Sequence, residues 1–172
     1  METQNGLETI IALLTVLFFL GVFLIPFIAF FIYVFFQNSK RKSIRARAQA
    51  QYGHMIGSSI AVPVRYCSEP RFKTWFKIFP WEGAGLLVPS NGVVTFVGEK
   101  NNGTPLNVQF ARDSSVVQWL GKCPWPNGAV SWFSVDTQGQ KHYFTSETGA
   151  FVFGSDKSTR EAYDQSHRSL LA

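Results

Sequence analysis

Between Thr9 and Phe36 the chain runs for 28 residues without an Asp, Glu, Lys or Arg, and no other feature limits its fold as sharply. A run that long exceeds the roughly 20 apolar residues that cross a bilayer. As a helix it would measure about 42 Å, against a hydrocarbon core of about 30 Å. The expectation is one transmembrane helix over residues 9–36, behind a short tail of residues 1–8. No later stretch approaches spanning length, so a channel or transporter built from one copy of this chain is not expected. Residues 60–172 are close to the commonest size of a single domain and can bury one core. The 46% hydrophobic content is therefore an average over two unlike parts.

Charge gives the expected orientation. Glu2 and Glu8 are the only charges before residue 37, and residues 60–172 nearly balance. The segment 37–59 holds Lys40, Arg41, Lys42, Arg45 and Arg47 with no acid. Cations just after a span are retained on the cytoplasmic side, which places the tail outside and the C-terminal domain in the cytoplasm. A cleaved signal peptide would want a positive start, a shorter apolar stretch and a small-x-small site, and none is present. The basic residues cluster beside the span rather than across the domain, so nucleic acid is not an expected partner. Their simplest reading is a topology signal in a basic juxtamembrane linker, with each cation also able to gain about 1 kcal/mol near an anionic leaflet. Within the span, Phe19, Phe23, Phe27, Phe31 and Phe35 recur every fourth residue and lay a ridge of rings along one helix face.

Beyond the linker the period changes. Turn signals recur at Asn91-Gly92, Asn102-Gly103, Asn127-Gly128, Gln138-Gly139 and Thr148-Gly149. The runs between them are branched and aromatic: 93–97, 106–110, 116–120, 130–135, 142–145 and 150–153 all suit strands. An earlier strand is expected around Phe72 to Phe79 or Leu86 to Val88, bringing the number to about seven. Ser158-Thr159-Arg160-Glu161 fits a capping box, and Ala162, Tyr163, Ser166, Leu170 and Leu171 follow at helical spacing. The expected fold is one N-terminal transmembrane helix plus a mainly β domain, a barrel or small sandwich, closed by a C-terminal α-helix.

That arrangement resembles the pleckstrin-homology superfold. Trp75-Phe76-Lys77-Ile78-Phe79-Pro80-Trp81-Glu82, then Leu86-Leu87, then Gly92 to Gly98, are similar to the opening of GRAM and related pleckstrin-homology-like domains. The resemblance covers about 100 residues and implies a docking module for phosphoinositides or proteins rather than an enzyme. The chain departs from the lipid-binding members in having no cation between Lys77 and Lys100, where those members place a headgroup pocket.

Other chemistry finds no support in the residues. His54, His142, His167, Cys67 and Cys123 show no pair at metal-ligand spacing, so no metal and no cofactor are expected. Gly83-Ala84-Gly85 lacks the third glycine and the following helix of a nucleotide loop. No carboxylate has a partner suited to general acid–base work, so no catalytic residue is assigned. The informative clusters are aromatic. Arg71 to Trp81 interleaves three cations with five rings and, if extended, puts Arg71, Lys73, Trp75 and Lys77 on one face, with Trp81 at its end. Cys123-Pro124-Trp125-Pro126 is a stiff loop offering Trp125 as a contact. The expected function is a single-span anchor holding an interaction module that docks a protein or anionic lipid at the cytoplasmic face. The alternative is an accessory subunit of a larger membrane complex.

Overall fold

A computed structural model describes residues 2–56, 61–77, 79–147 and 156–172. The chain divides into two compact units, Met1–Asn38 and Ser39–Ala172. Helix α1 (Glu2–Ile56) supplies all of the described first unit and opens the second. It contains an 18-residue window of mean hydropathy 2.8, none of it buried, and among the described residues it is one helix long and apolar enough to cross a membrane. Pro26 lies inside it. Along the phenylalanine ridge, Phe27 and Phe31 meet at 4.7 Å between ring centroids.

The second unit is a single seven-stranded antiparallel sheet in the order β4-β3-β2-β1-β7-β6-β5. Its strands are β1 (Val62–Ser68), β2 (Gly83–Ser90), β3 (Val93–Lys100), β4 (Pro105–Ala111), β5 (Ser115–Lys122), β6 (Ser131–Thr137) and β7 (Gln140–Ser146). Helix α2 (Glu69–Lys73) follows β1, and α3 (Asp156–Leu171) ends the chain. The fold is thus a mainly β domain closed by a C-terminal helix. Two hairpins follow from local chemistry. β2 and β3 turn at Asn91-Gly92, and β6 and β7 turn at Gln138-Gly139, where both φ angles are positive (54° and 79°) and match the twist of a two-residue hairpin. The edge strands β4 and β5 are joined by a 3-10 turn at Arg112–Ser114 and do not pair with each other, so the sheet curls without closing.

Strand alternation sorts the side chains. Val64 and Tyr66 of β1 enter one core with Leu87, Phe96, Phe133 and Phe144. Ala162 and Leu170 of α3 complete that core. On the same helix face, Thr159 and Ser166 are fully buried, and the Thr159 hydroxyl accepts a bond from the Ser146 amide at 3.2 Å. The other face of the sheet is covered too. Ala48 of α1 packs with Leu86, Val88 and Val97, and Cys67, Trp81, Trp132 and Tyr143 form a third cluster.

Several details differ from the sequence expectations. The early strand is Leu86 to Val88 within β2, whereas the described residues from Phe72 to Phe79 form no strand, because Pro70 near the start of α2 and Pro80 interrupt any ladder there. β1 was not foreseen. Helix α3 already includes Asp156, so Ser158 lies in its first turn rather than capping it, and Leu171 is 61% exposed. The expected strand at 150–153 and the turn at Thr148-Gly149 lie outside the described residues.

Candidate functional site

The basic segment read as a linker is helical and belongs to the folded unit, which begins at Ser39 rather than Ile60. Helical spacing places Arg41, Ile44 and Ala48 on one buried face, with Arg45 beside them. Arg41 donates from Nε to Glu147 Oε1 at 2.7 Å, and Arg45 donates to the other oxygen of the same carboxylate. Arg65, on the central strand β1, approaches Glu147 at 3.8 Å. The Glu147 side chain is 1% exposed, so this is a buried ion cluster and not a solvated patch. Lys40 donates to the Asn101 carbonyl, Arg47 pairs with Glu99 at 2.8 Å, and Lys42 is exposed. Burial pulls the Arg65 guanidinium down to about 10, opposed by Glu147 and reinforced by Arg41 and Arg45. It therefore stays charged at neutral pH.

Trp81 roofs this cluster. Its ring centroid lies 5.4 Å from the Arg41 guanidinium carbon and 4.2 Å from that of Arg65, an arrangement in which the π face offsets the cost of burying a cation. Trp81 is 3% exposed and is therefore part of the core, not of a binding face.

The rest of the expected aromatic and basic surface is also rearranged. Arg71 donates to the Phe79 carbonyl at 3.1 Å. Lys77 turns inward, donating to the Arg71 and Phe72 carbonyls at 2.8 and 2.9 Å and to Asn127 Oδ1 at 2.5 Å. Its pKa falls, chiefly because it is partly removed from water. Lys73 pairs with Glu69 at 2.6 Å across one helical turn. Arg71, Lys73, Trp75 and Lys77 thus do not share one wet face, because the segment is a helical turn and a loop rather than an extended strand. Of the expected face, Trp75 is left in solvent at 82% exposed, and its neighbour Phe76 joins it at 84%. The backbone at Trp125 begins a 3-10 turn (Trp125–Asn127), and its side chain lies outside the described residues.

Sequence reasoning overlooked Glu147, Arg65 and Phe76. A lone arginine inside the alternating run Val62-Pro63-Val64-Arg65-Tyr66 is the one local signal, since a charge between core positions calls for a buried partner. Among the described residues no group of three or more His, Cys, Asp or Glu side chains comes together. The Cys67 thiol is pushed up to about 12 by burial, which leaves it a core residue rather than a nucleophile. No family model, no curated protein and no solved structure matches the chain.

Proposed function

We propose that this protein is a single-span membrane-anchored docking module, whose pleckstrin-homology-like β domain engages a neighbouring surface at the cytoplasmic face of the membrane. The observation that carries the reading is the Trp75-Phe76 pair. Two adjacent rings, each more than four-fifths exposed, project from a loop fixed at its base by Lys77 and Arg71. A fixed loop presents its rings with little ordering cost on binding, and Trp is favoured at contact sites. The cytoplasmic assignment rests on the cations after the span, and the GRAM-like opening supports a docking role.

The test is a photo-crosslinker, Phe76→benzoylphenylalanine, irradiated in native membranes. An adduct formed at position 76 and absent from a control at exposed Val116 supports the reading; equal labelling at the two positions removes it. Protease added to sealed vesicles tests orientation, and digestion of the domain from the extracytoplasmic side would contradict it. A second reading, an accessory subunit of a membrane complex, is favoured by the exposed ridge of Phe19, Phe23 and Phe27 in the first unit. A stable high-mass band in blue-native electrophoresis would support it.

A further inference from the structure

We infer that Trp75 and Phe76 form an uncharged aromatic wedge that enters the interfacial layer of a lipid bilayer; the inference rests on the docking reading above and names its occupant. The charges that would steer this loop to an acidic partner are already engaged. The Lys77 ammonium has three oxygen acceptors within the domain, Arg71 bonds to the Phe79 carbonyl, and Lys73, 70% exposed, pairs with Glu69 at the surface. Among the described residues the tip presents the two exposed rings, while the Thr74 hydroxyl and amide bond back to the Pro70 and Arg71 carbonyls at 2.9 and 3.2 Å.

That chemistry suits the headgroup–acyl boundary, where an amphipathic indole and a phenyl ring replace water with hydrocarbon while the indole N–H keeps a polar partner. A protein hot spot would instead be expected to set its rings within a polar rim offering free donors and acceptors. A bilayer is also the partner supplied by the chain itself. Only Gln37 and Asn38 separate Phe36, the end of the uncharged run, from the unit that begins at Ser39. The loop is held in place by Lys77, by Arg71 and by the stack of Phe72 on Tyr143 at 3.9 Å, so the wedge is preformed.

The experiment uses the full chain in nanodiscs of phosphatidylcholine, with and without bromine on the acyl chains, which quenches indoles that enter the lipid. The emission of Trp75 is taken as the difference between wild type and Trp75→Ser, a substitution at an exposed ring that leaves the loop's base intact; matching near-ultraviolet circular dichroism of the two proteins checks this. The expected result is an at least twofold loss of the Trp75 emission in brominated discs. The loss should persist from about 0.1 to about 1 M salt, over which the Debye length falls from about 10 to about 3 Å. Equal Trp75 emission in the two lipids overturns the inference, as does quenching that vanishes at high salt. If the tip is unquenched in discs yet crosslinks to a protein in native membranes, the bilayer assignment fails and the docking reading stands. If it neither quenches nor crosslinks, both fail.

Discussion

The guanidinium carbon of Arg65 lies 4.2 Å from the centroid of the Trp81 ring, with both side chains almost wholly out of water. This stack links the central strand of the sheet to the loop that follows α2. It also places Arg65 beside Glu147, the one carboxylate on which Arg41 and Arg45 of α1 converge. The basic stretch after the apolar run is consequently built into the domain.

Glu147→Gln should be severely destabilising. It removes the buried carboxylate on which Arg41, Arg45 and Arg65 converge, at an expected cost of about 3–5 kcal/mol. Glu99→Gln removes a carboxylate whose partner Arg47 is 56% exposed, and should change stability by about 0–1 kcal/mol. Thermal unfolding in detergent, followed by near-ultraviolet circular dichroism, reads both; equal shifts would show that the cluster is not structural.

Two glycines should respond with opposite signs. A Cβ on Gly85 would sit 2.2 Å from the Val97 carbonyl oxygen and 2.7 Å from the Gly98 Cα, all backbone that cannot swing aside. Gly85→Ala is expected to cost about 1–3 kcal/mol. Gly53, within α1, has nothing within 4 Å of such an atom, and Gly53→Ala should stabilise by about 0.5–1 kcal/mol. Denaturant midpoints that move in the same direction for both would contradict the packing described.

Stability should fall in mild acid through His142. Burial lowers its pKa, with Asp136 acting weakly the other way, and the Tyr66 hydroxyl lies 3.1 Å from Nδ1. Because the folded value lies below that of the unfolded chain, about 6.5, the unfolded state takes up the proton first. Stability is therefore undiminished above about pH 6.5 and declines as pH drops from there toward the folded value. A melting temperature that is flat between neutrality and mild acid, or as steep in His142→Gln, would refute the assignment.

The two thiols should differ in reactivity. Burial pushes the Cys67 thiol up to about 12, which leaves very little thiolate, and its side chain is fully buried. Cys123 is half-buried, with its pKa raised mainly by burial. Iodoacetamide should therefore label Cys123 well before Cys67 in the folded protein and both alike after unfolding. Equal labelling of the native protein would place Cys67 at the surface.

Local sequence determined the features that depend on neighbours in the chain. A run of 28 uncharged residues is helical and apolar whatever follows it. The turns at Asn91-Gly92 and Gln138-Gly139 carry their own backbone preference, so β3, β4, β5 and β6 between them and β7 after them were legible from their branched and aromatic runs. Strand β1 was harder to see, because as the central strand it is covered on both faces, and its Pro63 and Arg65 break the usual pattern.

Only the tertiary structure decided what the charged and aromatic residues do. Arg41 and Glu147 are 106 positions apart, and no periodicity relates them. Whether a lysine such as Lys77 faces water or caps carbonyls depends on which oxygens the folded backbone brings within reach, here those of Arg71, Phe72 and Asn127. The same folding buried Trp81 under two guanidinium groups and left Trp75 and Phe76 in solvent, although all three lie within seven residues of one another. Burial follows from long-range contacts, which composition does not encode.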